Sequence, residues 1–300
     1  MNFTYGIKCY LIACFTSLKI KMRKPIVSLL SILALNAAAK EITQEEYNKT
    51  FKGYNACFIL YDVNKNKIIS KYNPKNYCNQ RVAPDSTFKI ALSLMAFDSG
   101  ASHESTVFKW NGKKSALLDW NHDQTPESWL KYSVVWVSQQ LTQRMGDTRI
   151  KGYLAKFKYG NQDFSGDPGK NNGLQYAWLS SSLKISAMEQ LNFLKAFYAG
   201  ALPVSKEALH LTKKNMYQGQ LENGADLYGK TGSGRHGASE RASNPSLLRD
   251  GWFIGFVEKG SQQYLFISNL SDKTPPAPMD KAFGSAVLKP ITVKLLNEYL

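Results

Sequence analysis

Hydrophobic and polar positions alternate in two distinct rhythms along this chain, and each marks its own set of elements. Thr43 to Glu46 reads Thr-x-x-Glu ahead of Tyr47 and Phe51, a capping box that opens a short helix ended by Gly53. Ala56–Tyr61 and Ile68–Tyr72 are β-rich runs joined by polar Val63-Asn64-Lys65-Asn66, which predicts an antiparallel hairpin. After Pro84 the period changes. Ile90, Ala91, Leu92, Leu94, Met95 and Phe97 are apolar nearly all round a helix that Asp85 is expected to cap, running to Asp98 with Gly100 behind it. A helix with no polar face is a central, buried one.

Further helices are predicted at Ser133–Met145, stopped by Gly146, at Thr148–Phe157, capped by Asp147, and at Ala187–Tyr198, where Ser186 and Glu189 form a second capping box. Strands return at Leu227–Thr231, Trp252–Val257 and Tyr264–Ser268, and Ala282–Tyr299 reads as a closing amphipathic helix with Pro290 in or near its start. Gln162–Gly173 and Ser233–Gly251 are the longest loop-like stretches. The fold class is therefore α+β: an antiparallel sheet flanked by terminal helices, with an inserted all-helical subdomain.

Composition and charge refine this outline. The 300 residues are 43% hydrophobic, enough for a large core without a metal or disulfide staple. Met22-Arg23-Lys24, the apolar run Pro25–Leu35 and Ala37-Ala38-Ala39 form a secretion pattern. Residues 1–39 are accordingly expected to be a leader with a signal peptide, with Met22 as the true start, and residues 40–300 a secreted, periplasmic catalytic domain of two subdomains. The apolar run is too short to span a bilayer, so no stable membrane anchor is expected.

The net charge is +15, and removing 1–39, with five basic and no acidic residues, leaves +10. The lysines are scattered, with no basic run and no RNA-binding motif, which argues against nucleic acid and for a basic surface suited to anionic substrates. Asp62-x-Asn64-x-Asn66 has a calcium-loop spacing, but Lys67 and Asn73 stand at its required Gly and Glu places, so it is read as a turn. The four histidines lack ligand spacing, and no metal is expected. Cys57 and Cys78 lie on and just past the hairpin, where they either pair or stay free.

Ser-x-x-Lys puts a hydroxyl and an amine on one helix face, so that the amine can take the proton as the hydroxyl attacks. The pattern occurs at Ser86/Lys89, Ser128/Lys131 and Ser181/Lys184. Only Ser86 begins an all-apolar helix, whose N-terminus favours negative charge and whose burial lowers the Lys89 amine pKa; the other two read as surface positions. Lys230-Thr231-Gly232 sits at a strand end, where Lys and Thr offer donors to an anionic group and Gly is expected to let a substrate backbone approach. Gly232-Ser233-Gly234-Arg235-His236-Gly237 fits a dinucleotide pattern, but no βαβ unit follows it.

Six features in order, Ser86-Thr87-Phe88-Lys89, Ser133-Val134-Val135, Tyr159-Gly160-Asn161, Trp178-Leu179, Lys230-Thr231-Gly232 and Gly251-Trp252-Phe253-Ile254-Gly255, resemble the class D serine β-lactamases, or oxacillinases, over residues 54–300. The resemblance implies hydrolysis of β-lactams through a Ser86 acyl-enzyme, with Lys89 carboxylated by carbon dioxide as general base and no other cofactor. It implies that Trp178 donates to that carbamate, that Ser133 relays a proton to the leaving nitrogen beside Lys230, and that Thr231 contacts the substrate carboxylate.

The Ser86 and Ser233 backbone N–H groups would form the oxyanion hole. Gly232, Val135 and Leu179 would line the substrate, and Asn161 would either support the site or touch it. No Arg follows Arg249, where many oxacillinases keep one to grip the carboxylate; Lys281, Ser285 and Lys289 are candidate substitutes. A β-lactam sensor domain or a penicillin-binding D,D-peptidase, acylated without turnover, is the alternative reading.

Overall fold

A computed structural model describes residues 41–300 except Ala238 and Glu240. The expected leader at 1–39 and the mature start at Lys40 lie outside the described residues. The chain opens with α1 (Gln44–Thr50), capped by the expected Thr43/Glu46 box, and the hairpin β1 (Tyr54–Asp62) and β2 (Lys67–Tyr72). Asp62 Oδ1 accepts from the Lys65 N–H at 2.8 Å, which makes the acidic spacing a turn. Cys57 and Cys78 are joined as a disulfide across 21 residues, Cα to Cα 5.1 Å.

The helical insert follows: α2 (Phe88–Asp98), α3 (Pro126–Tyr132), α4 (Val135–Met145), α5 (Asp147–Phe157), α6 (Gly173–Tyr176), α7 (Ala187–Tyr198) and α8 (Lys206–Asn215). The chain then returns to the sheet with β3 (Tyr217–Gln220), β4 (Asp226–Arg235), β5 (Arg249–Lys259) and β6 (Gln262–Asp272), and ends in α9 (Gly284–Tyr299), with Pro290 inside it.

All six strands form one antiparallel sheet in the order β2-β1-β6-β5-β4-β3. The first hairpin thus joins the last strand, from Tyr54 opposite Asp272 to Asp62 opposite Tyr264. Each face of the sheet carries its own core. One holds Ile59, Trp252, Ile254 and Ile267 against α2 and the rest of the insert; the other holds Phe58, Phe253 and Phe266 against α1 and α9. Coverage on both faces explains why β5 is buried from Arg249 to Val257 and reads as a nearly continuous apolar run. In α2, Phe88 to Ala96 are all buried, as its all-round apolar pattern requires.

Several local expectations are corrected. Asp85 does not cap α2: it lies in a single 3-10 turn, Asp85–Thr87, at φ +46°, and Thr87 is the N-cap residue, without a side-chain cap bond. Ser133 does not start a helix either. It sits at φ +60° as the C-cap of α3, and α4 begins two residues later. Gly146, not Asp147, precedes α5, and Asp147 pairs with Lys151 at 2.8 Å. The stretch 233–251 is not one loop, because β4 continues to Arg235 and β5 starts at Arg249. Helices α3, α6 and α8 and edge strand β3 were not expected: α3, α6 and β3 are short, and α8 buries only Ala208, Leu211 and Thr212, too few apolar positions to mark a helix face.

Candidate active site

Ser86 lies in the Asp85–Thr87 turn, and the turn is held from several sides. The Asp85 carboxylate accepts from the Ser180 N–H (3.0 Å) and hydroxyl (3.2 Å), and the Ser180 hydroxyl in turn accepts from the Arg235 N–H (2.8 Å). Trp252 donates its indole N–H to Ala83 O at 2.9 Å, while Thr87 donates to Pro84 O (2.7 Å) and accepts from Gln190 (3.0 Å). An aspartate in the left-handed region is uncommon, and these surrounding bonds are what over-determine it. Spacing carried no sign of this clamp, because Asp85 and Ser180 are 95 residues apart.

The glycines of β4 serve the same turn. A Cβ on Gly232 would fall 2.9 Å from Pro84 O, and one on Gly234 would fall 2.3 Å from both Asp85 carboxylate oxygens. Gly232 is therefore needed for close approach of the protein's own nucleophile turn, and it also lines the cleft. The dinucleotide-like spacing has the same origin, since its first glycines belong to strand β4.

Lys89, one helical turn after Ser86, donates to Ser86 Oγ at 3.1 Å and is fully buried. Burial holds its amine well below the usual lysine range; the nearby Lys230 charge lowers it further, and Asp85 opposes. Trp178 packs its ring on Phe88 (5.6 Å) and Phe164 (6.0 Å), and its indole nitrogen is buried without a hydrogen-bond partner. An unpaired buried N–H costs about 1–3 kcal/mol, so this atom points to a missing acceptor.

Lys230 donates to Ser133 Oγ (3.0 Å), to Thr231 O (3.0 Å) and to Thr231 Oγ1 (3.3 Å). Burial first, and the Lys289 charge second, bring it down to about 7. The α3 C-cap turns the Ser133 hydroxyl toward β4 and ends α3 one residue short of it.

Ser86, Ser133, Val135, Leu179, Thr231, Gly232 and Ser233 all line one cleft of about 470 Å³, with Leu117, Trp120 and Phe283 at its apolar rim. Its charged lining is basic throughout: Lys131, Arg235, Arg249 and Lys281. Arg249 is committed elsewhere, to Asp272 and Asp280 at 2.8 Å each. Of the proposed substitutes for a late arginine, Lys281 and Ser285 line the cleft, and Lys289 lines an adjoining cavity that shares Lys131, Thr231 and Ser285 with it. Ser285 also donates its N–H to Ser233 Oγ at 3.0 Å, a contact that no spacing announced.

Asn161 is not brought to the cleft. Its side chain donates to Ser182 O (2.8 Å) and accepts from the Lys184 N–H (2.9 Å), tying its loop to the segment that follows Trp178. Ser128 Oγ is spent in the α3 capping box and Ser181 Oγ on Asp167 at 2.7 Å, so neither partners its lysine. Among the described residues, no group of three or more His, Cys, Asp or Glu is placed to hold a metal ion.

Comparison with known proteins places the chain among relatives of one family. The penicillin binding protein transpeptidase domain matches residues 36–297. Beta-lactamase OXA-1 of Escherichia coli is 45% identical over 242 residues, 80% of this chain and 85% of that protein. The crystal structure of OXA-427 class D β-lactamase superposes with a TM-score of 0.72 at 35% identity, covering 81% of this chain and 98% of that one. The methicillin resistance mecR1 protein of Staphylococcus aureus is 34% identical over 221 residues, 73% of this chain but 35% of that protein.

Proposed function

The chain belongs to the class D β-lactamases, and from that premise we propose how its own residues carry out the hydrolysis of a β-lactam. The activity is that of a serine β-lactamase. The observation that carries the residue-level reading is the buried Lys89 amine 3.1 Å from Ser86 Oγ.

In this reading Ser86 attacks the lactam carbonyl and gives up its proton on the Lys89 side. The N–H groups of Ser86 and Ser233 receive the developing oxyanion, each donor worth about 3–4 kcal/mol in such sites. Ser133, held by Lys230, passes a proton to the leaving nitrogen. Thr231 and Lys281 take the substrate carboxylate in a cleft whose charged side chains are all basic. Leu179, Val135 and Gly232 shape the walls, and Asn161 supports the site from behind.

The surroundings of Lys89 fit a carbamate formed from carbon dioxide. Carbon dioxide adds to a neutral amine, burial favours that form, and the buried Trp178 N–H is a donor in want of an acceptor. Such a group supplies an anionic oxygen base for both acylation and deacylation. No other cofactor is invoked. The leader at 1–39 is read as directing secretion to the periplasm, and no helix among the described residues is long and apolar enough to cross a membrane.

The test is turnover of a chromogenic cephalosporin with and without bicarbonate, followed by intact mass. Rapid turnover raised by bicarbonate is expected, and Ser86→Ala should show no acyl adduct. A stable adduct without turnover would overturn hydrolysis in favour of a sensor or peptidase.

A further inference from the structure

From Gln80 to Pro84 the chain that leads into the Ser86 turn forms no helix and no strand ladder, only an isolated bridge at Val82. The start of α7 holds it. Val82 and Ile185 exchange backbone bonds of 3.1 and 2.8 Å, and Arg81 grips the Glu189 carboxylate, Nε to Oε2 at 3.0 Å. Gln190, the next residue, is fully buried and donates its amide N–H to Thr87 Oγ1 at 3.0 Å, across 103 residues.

The direction of that last bond is fixed. The single Thr87 hydroxyl proton goes to Pro84 O at 2.7 Å, so the oxygen accepts from Gln190. The Thr87 N–H also goes to Pro84 O, at 3.0 Å, and the two bonds close the turn that contains Asp85 and Ser86. Gln190 Oε1 and the Tyr159 hydroxyl are both buried without a hydrogen-bond partner among the described residues. Tyr159 packs on Phe88 at 5.8 Å; burial raises its phenol, and the Gln190 and Thr87 side chains oppose that rise. A buried amide costs more than a hydrocarbon of similar length unless its bonds are made, and here only the N–H side is satisfied. What the amide adds at position 190 is therefore its hold on Thr87.

We propose that Gln190 is a positioning residue for acylation, acting through Thr87 on the turn that presents Ser86 Oγ and the Ser86 N–H. With the amide in place, the Thr87 hydroxyl is held between a donor and an acceptor, and the turn keeps one geometry. Without it, the Thr87 oxygen loses its donor in a dry site and the hydroxyl is free to leave Pro84 O. Gln190 does not line the cleft, so its effect on the reaction passes through Thr87. The inference rests on Ser86 as the nucleophile and is independent of the carbamate on Lys89.

The test is single-turnover acylation by benzylpenicillin, read by intact mass on the whole chain, for Gln190→Met, Thr87→Val and the double variant, with the folded fraction taken from circular dichroism. Gln190→Met should slow acylation per folded molecule by about tenfold to a hundredfold, the size expected when reacting groups shift without being removed. Thr87→Val should cost a similar factor, and adding Gln190→Met to it should change the rate by less than about twofold. Thr87→Ser keeps the hydroxyl and should stay within about threefold of wild type. The bicarbonate concentration for half-stimulation should not move. Equal slowing by Gln190→Met in both backgrounds, a lower melting temperature with unchanged acylation, or a shift in bicarbonate dependence alone would each overturn the proposal. If Gln190→Met does not fold, Thr87→Val against Thr87→Ser decides, and equal acylation rates overturn it. Failure of the hydrolytic reading shows differently, as a wild-type acyl adduct that persists, and the acylation comparison holds in that case too.

Discussion

Two lysines reach the site, one bonded to Ser86 and the other to Ser133, and their surroundings differ in kind. Lys89, on the first turn of α2, is fully buried and has one hydrogen-bond partner, Ser86 Oγ. Lys230, on β4, is 3% exposed and has three oxygen acceptors. Burial lowers both amines, Lys89 well below its usual range and Lys230 to about 7. Besides burial, the Lys230 charge presses Lys89 down and the Lys289 charge presses Lys230 down, and Lys230 is the one of the two that titrates near neutrality. In the proposed reading, one residue type thereby serves both as a nucleophile toward carbon dioxide and as a titrating proton-relay partner.

The largest expected effect breaks the Lys89 side of this contrast. Lys89→Ala should lower β-lactam turnover by about 10⁴-fold, with the acyl-enzyme persisting in the mass spectrum and bicarbonate giving no rescue. If bicarbonate still stimulated that variant, the amine would not be the reactive group. Lys230→Met should cost less, about 10²–10³-fold in kcat/KM, with acylation as the slowed step in single-turnover kinetics. An effect on deacylation alone would contradict its pairing with Ser133.

Trp178→Phe keeps an aromatic ring against Phe88 and Phe164 but removes the unpaired indole N–H. Turnover should fall about tenfold to a hundredfold, and the bicarbonate concentration for half-stimulation should rise. Wild-type bicarbonate dependence would refute the donor role. The smallest effect is on stability. With its pKa near 7 in the folded chain against 10.5 for an ordinary lysine, Lys230 binds more proton unfolded than folded between those values. It therefore makes stability rise with pH across that window. Lys230→Met should flatten this rise between pH 7 and 9 in urea titrations; an unchanged slope would mean the amine is not depressed.

Much of this was legible beforehand because it depends on local pattern. The all-round apolar run of α2, the boxes at Thr43/Glu46 and Ser186/Glu189, and the β-rich runs of the sheet carry their structural meaning within a few residues. The site motifs were legible for the same reason, and Ser86, Ser133, Val135, Leu179 and Thr231 do meet in one cleft. The misreadings at Asp85 and Ser133 share a cause. Both residue types are good helix starters by propensity, yet both sit at positive φ because long-range partners, Ser180 for one and Lys230 for the other, claim their side chains.

By itself the sequence determined the α+β order of elements, the buried central helix and the hydroxyl–amine pair one turn apart, since helix geometry alone sets that spacing. Tertiary structure decided the rest. It chose Ser86/Lys89 over two identical spacings by spending Ser128 and Ser181 on other partners. It placed Lys230 against Ser133 across 97 residues, moved Asn161 out of the cleft and turned Gly232 into a packing requirement. These outcomes depend on desolvation and on contacts between distant segments, and a chemical environment of that kind exists only once the sheet and the helical insert have closed on each other.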